Sequence, residues 1–181
     1  GPGHFRWPRV PHPQTVGAKA ALAALRAAVA EHGADDIIGF YYELVQERTG
    51  WVLPPEYLEG LAALAREVGV PLVAVETTTA LYRSGQGAFL SPASGLTPDV
   101  MLWWSGGQTG YVHCTPKWFV ATPMALVSTW DGDELSLIRH YHQLRAARTL
   151  DLAAGVVALD RALAGLDGRY AHHGVGLYRT I

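Results

Sequence analysis

Polar residues stand where three short apolar runs of this sequence give way to turns. Glu43 follows IIGFYY, Glu76 follows PLVAV, and Ser105 follows VMLWW and precedes Gly106-Gly107. A carboxylate in such a place acts as a general base when burial disfavours its ionised form. Glu76 is therefore the first candidate, with Glu43 and Ser105 as companions, for acid–base chemistry or a cyclisation. Gln46 belongs to the same neighbourhood. The plain alternative is that these are polar strand ends with no role. Ser105 as a nucleophile would need a Gly-x-Ser-x-Gly elbow and a placed histidine, and the sequence offers neither. His140 and His142 are two apart on a helical stretch and point to different faces. His172-His173 falls in a loop, so no metal-ligand spacing emerges. The aromatics Trp103, Trp104, Trp118, Trp130, Tyr41, Tyr42 and Tyr111 supply either a pocket for a planar ligand or packing in a core and an interface.

These residues need a scaffold, and the patterning predicts an α/β one. Gly3 to Gln14 carries Pro8, Pro11 and Pro13 and reads as an extended arm. From Val16 to His32 the apolar residues Leu22, Leu25, Ala28 and Val29 share a helical face that stops at Gly33. Ile37 to Leu44 is predicted as a buried strand. Pro54-Pro55-Glu56 opens a second helix with Leu58, Leu61, Leu64 and Val68 inward, ending at Gly69. A short β-branched strand, Pro71 to Glu76, follows, so strand, helix and strand imply a parallel crossover with functional residues at the strands' carboxyl ends. After a loose Gly/Ser-rich segment come the strand Val100 to Trp104 and two further expected strands, Tyr111 to Cys114 and Trp118 to Ala121. Thr129 to Asp133 reads as a turn and helix start, with Thr129, Asp131 or Asp133 as cap. A helical stretch then runs from Glu134 to Ala164, with a break near Thr149-Leu150-Asp151, and Gly174 to Ile181 reads as one last strand.

Composition bounds the partners. A chain of 181 residues with net charge −2 is one domain by size and has no general pull toward nucleic acid. No apolar run has the roughly 18 residues of a spanning helix, so no membrane association is expected. Cys114 is the only cysteine, which excludes an internal disulfide framework and fits a reducing cytoplasm. Gly1-Pro2 reads as a protease-cleavage scar.

The order of these pieces resembles the class III aminotransferases, pyridoxal-phosphate enzymes of fold type I that include the ornithine and acetylornithine aminotransferases. Where that family ends a strand in Glu-Pro-(Val/Ile)-Gln-Gly, this chain has Glu43-Leu44-Val45-Gln46-Glu47, then Gly50-Trp51-Val52 and Pro54-Pro55. The family's Asp-Glu strand end is Val75-Glu76, its Gly-x-x-Arg-x-Gly region survives as Arg83-Ser84-Gly85, and Pro98-Asp99 stands at its Pro-Asp. The Schiff-base lysine of the family lies six residues after that aspartate, where this chain has Ser105. Thr129-Trp130-Asp131-Gly132-Asp133-Glu134-Leu135 echoes Thr-Phe-x-Gly-Asn-Pro-Leu.

The resemblance implies a three-layer, mostly parallel sheet flanked by helices. Residues 15–165 would match the second half of a large domain, 1–14 a leading arm, and 166–181 the start of a small domain. It also implies lost chemistry. A serine cannot form the internal aldimine, and Val75 cannot hold a charge beside the pyridine nitrogen. Gln46, Val75, Ser105 and Thr129 would then be vestiges of a cofactor site. In the family that threonine reaches a neighbouring subunit's cofactor phosphate. No cofactor is expected on this chain without a partner chain. The expected role is a degenerate aminotransferase-like subunit, non-catalytic or scaffolding, in a biosynthetic pathway, as a homodimer or with an aminotransferase-like chain. The second reading is a cofactor-independent enzyme reusing the cleft of Glu43, Glu76 and Ser105. A third is a carrier or sensor of a small molecule.

Overall fold

The computed structural model describes residues 7–104, 106, 109–125, 133–166 and 168–181. Ser105, Thr129, Trp130 and Asp131, all singled out in the sequence, lie outside the described residues.

The N-terminal arm turns through a short helix α1, Pro13–Val16, into α2, Ala18–His32. Gly17, at φ +83°, separates the two and splits what the apolar periodicity joins. Strand β1 is only Phe40–Tyr42, shorter than the apolar run suggests, because Glu43 to Leu53 folds back on itself. In that turn Gln46 N–H donates to Trp51 C=O (2.9 Å) and Leu53 N–H to Leu44 C=O (3.0 Å). Helix α3, Pro55–Val68, begins with proline in its first turn and ends at Gly69 in the left-handed region. It leads into β2, Leu72–Val75.

Beyond the loop come β3, Val100–Trp104, and β4, Gly110–Cys114. These four strands form one sheet in the order β1-β2-β3-β4, with β1, β2 and β3 parallel and β4 antiparallel to β3. The expected fold is thus observed as a mixed, mostly parallel sheet with flanking helices. Trp118 to Ala121 is not a strand. Pro116–Trp118 forms a 3-10 turn instead, since Pro116 has no N–H to give to a ladder.

Helices α4, Glu134–Ala147, and α5, Leu152–Ala164, are separated at the expected break, where Asp151 caps α5 by accepting from Ala154 N–H (3.0 Å). Asp133 caps α4 through Ser136 N–H (3.2 Å). The terminal piece is a hairpin rather than one strand. Its strands β5, His173–Val175, and β6, Tyr178–Thr180, turn at Gly176-Leu177, where Gly176 supplies φ +56°.

Pleating divides the sheet into two unlike faces. Phe40, Tyr42, Leu72, Ala74 and Met101 point to the side where α2 and α3 pack, and they join Leu58, Leu61, Leu64 and Ala65 in the core. On the other side stand Tyr41, Val73, Val75, Leu102, Trp104 and Val112. Val73 is buried there, but Tyr41 and Trp104 are about half exposed and Val112 two thirds exposed. No described helix is long and apolar enough to cross a membrane.

Candidate functional site

The carboxyl ends of β1, β2 and β3 lie at one edge of the sheet, as the parallel pairing requires. Glu43, Val75 and Glu76 are delivered there. Successive residues alternate between faces, so Val75 shares the open face with Leu102 and Trp104, while Glu76 faces the covered side with Tyr42.

Glu76 is completely buried. Its carboxylate accepts from the Leu90 N–H (2.7 Å), the Ser91 N–H (2.7 Å) and the Thr79 hydroxyl (2.9 Å). Its own N–H extends the ladder to Leu102 C=O (2.8 Å). A buried carboxylate with three donors is held by charge-assisted bonds, and here they tie the 77–91 loop to the end of β2. Tyr42 lies close enough to feel that charge. Burial first, then Glu76 and Asp99, push its phenol well above the ordinary tyrosine range, and its hydroxyl has no hydrogen-bond partner among the described residues.

Glu43 does a local job. Its Oε2 accepts from Glu47 N–H (2.8 Å), and Gln46 Oε1 accepts from the Thr49 hydroxyl. Both therefore shape the 43–53 turn. That turn receives the C-terminal hairpin: the Thr180 hydroxyl donates to Thr49 C=O (2.7 Å) and the Tyr178 hydroxyl to Glu47 C=O. The hairpin also touches the other loop, since Leu177 N–H donates to Arg83 C=O (2.7 Å). Arg83 in turn gives Nε to Ala80 C=O (2.9 Å) and a guanidinium N–H to Thr77 C=O (2.6 Å).

The aromatics do not form one pocket. Trp103 stacks on Tyr111 (4.3 Å between centroids, 13° between planes), and His140 of α4 packs on both at 4.8 Å. Burial first, and then His113, lower the affinity of His140 for a proton. Trp104 and Tyr41 sit on the opposite face, and Trp118 lies under the Lys117 ammonium (4.6 Å). His142 contacts Tyr141 rather than this cluster, and among the described residues no group of three metal-ligand side chains converges.

Both lysines of the chain are described. Lys19 is exposed on α2. Lys117 borders a groove with Asp99, Gly69 and Leu72, at the amino edge of the parallel strands and so opposite to Val75 and Glu76. The described residues at the carboxyl edge therefore do not fit pyridoxal phosphate. Val75 offers no charge, and no lysine stands beside it among the described residues. Sequence reasoning missed the backbone partners of Glu76, because Leu90 and Ser91 come fourteen and fifteen residues later and give it only their main-chain N–H groups.

No protein-family model and no curated protein sequence matches the chain. Solved structures do. An (S)-enantioselective omega-transaminase from Thermomicrobium roseum superposes with a TM-score of 0.76 at 22% identity, over 97% of this chain and 46% of that one. A transaminase from the marine bacterium Virgibacillus gives 0.75 at 23%, over 88% and 40%. The ornithine aminotransferase of Plasmodium yoelii gives 0.70 at 24%, over 86% and 44%. The chain spans less than half the length of each of these structures. What it shares with them is the fold of part of a transaminase.

Proposed function

We propose that this is an aminotransferase-fold protein that performs no pyridoxal-phosphate catalysis of its own and serves as a non-catalytic or scaffolding subunit in a cytoplasmic biosynthetic pathway. The observation that carries the reading is the end of β2. Val75 stands where the resemblance places the carboxylate that keeps the cofactor's pyridine nitrogen charged, and the adjacent Glu76 is committed to the loop. Ser105, where the resemblance places the Schiff-base lysine, points the same way from the sequence. A serine hydroxyl forms no imine, so supplying the cofactor from outside does not restore the step.

The half-exposed face of Tyr41, Trp104 and Val112 supports the subunit part of the proposal. Large apolar side chains together on one sheet face are usually covered by another protein surface, here a second copy or an aminotransferase-like chain. Residues 166–181 as the start of a small domain belong to the same proposal. The cofactor-independent reading needs Glu76 to meet a substrate proton, and its complete burial with three donors weighs against that.

Two measurements test the proposal. With pyridoxal phosphate and ornithine or alanine as amino donors, the purified chain is expected to transfer no amino group above the protein-free blank. Sustained turnover would remove the reading. In light scattering, the particle is expected at twice the 19.5 kDa chain mass or more, alone or with an aminotransferase-like chain added. A monomer in both conditions would remove the subunit role.

A further inference from the structure

A second feature, independent of the strand ends, lies where the C-terminal hairpin meets the N-terminal arm. There Gln14, Gly50, Trp51, Val52, His172, His173, Gly174 and Arg179 line an open cleft of about 370 Å³. That is within the size range of small-molecule sites, roughly 300–1,000 Å³. The lining holds an arginine, two histidines and a glutamine, and no carboxylate.

The arginine is held in place. Its Nη1 donates to Gly174 C=O (2.6 Å) and its Nη2 to Asp160, which anchors the guanidinium to the hairpin and to α5. Asp160 offsets part of its charge, and the two imidazoles supply further donors. Arg179 Nε is buried and makes no hydrogen bond among the described residues, so the guanidinium meets the cleft through its Nη groups. Trp51 lines the cleft with an aromatic side chain, and the His12 ring packs on it at 5.3 Å between centroids. Gly50 lets the turn come close to the hairpin: it adopts φ +67°, and a Cβ there would lie 2.5 Å from the Thr180 hydroxyl. The cleft is therefore built by tertiary packing of three segments distant in sequence.

Cationic and N–H donors beside an indole, with Asp160 behind the guanidinium as the acid that touches it, match one ligand chemistry. We infer that this cleft binds a small organic anion, a carboxylate or phosphate carried on a flat aromatic body. The anionic group is held by Arg179, His172 and His173, and the aromatic body lies against Trp51.

Calorimetric titration of the full chain with benzoate, phenyl phosphate and the neutral analogue benzyl alcohol tests this. In parallel, Trp51 is followed through its indole N–H signal, assigned with Trp51→Phe. Benzoate or phenyl phosphate is expected to bind saturably and move that signal, and benzyl alcohol to do neither. Which of the two anions binds tighter separates a carboxylate site from a phosphate site. Arg179→Gln should abolish binding. Because Arg179 also braces the hairpin, His172→Ala/His173→Ala carries the test if that variant does not fold, with affinity expected to fall roughly three- to tenfold. Absence of saturable binding by both anions, equal binding of benzyl alcohol, or an unchanged affinity in the double histidine variant would overturn the inference.

Discussion

Glu76 is fully buried and bonds to two backbone N–H groups and a hydroxyl, so its worth lies in what it holds. Glu76→Gln keeps the shape but turns an amide NH2 toward a backbone donor. It is expected to cost about 1–3 kcal/mol, read as a lower urea midpoint with an unchanged slope. An unchanged midpoint would mean that the carboxylate is not the anchor of the 77–91 loop. Tyr42 makes the opposite case. Its hydroxyl is buried with no partner among the described residues, so Tyr42→Phe should be neutral or slightly stabilising at pH 7. Its phenol holds its proton more tightly when folded than when unfolded. Above pH about 10 the unfolded chain releases that proton while the folded one keeps it, so stability falls as pH rises from there. Tyr57 and Tyr178 shift the same way and share the alkaline loss. Tyr42→Phe should therefore flatten this alkaline loss in part, and identical pH–stability curves for the two proteins would refute the placement.

At the scale of elements, the β5–β6 hairpin locks two loops of the site together. Gly176 comes so close to the Ser84 backbone that a Cβ would sit 2.1 Å from its carbonyl carbon and oxygen, at a φ of +56°. Gly176→Ala should undock the hairpin, at a strain cost of about 1–3 kcal/mol before the clash is counted. Limited proteolysis is the readout, with faster cleavage after Arg169 or Arg179 expected and unchanged protection counting against the docking role. This hairpin was only half legible in the sequence. GVGLYRTI has the composition of a strand, but its turn depends on one glycine whose need for positive φ arises from contact with Ser84. The parallel crossover was readable because β1, α3 and β2 carry their own periodicity and stops. Trp118 to Ala121 misled because its apolar residues satisfy β-propensity, while Pro116 and an exposed setting favour a 3-10 turn.

For the molecule as a whole, the sequence resemblance and the structural superpositions agree on the fold. The strands' carboxyl ends were expected to carry Glu43 and Glu76, with Val75 as the vestige of a cofactor contact. Which face each would take was not legible, because that depends on where α2 and α3 pack against the sheet. That packing makes Glu76 part of the frame and leaves Val75 on the open side. The central claim, that this chain supplies no pyridoxal-phosphate chemistry of its own, is tested most directly by incubating it with pyridoxal phosphate, reducing with borohydride and mapping the peptides by mass. The account predicts no absorbance band near roughly 400 nm and no stoichiometric phosphopyridoxyl label on Lys19 or Lys117. A stoichiometric label on either lysine, accompanied by that band, would contradict it.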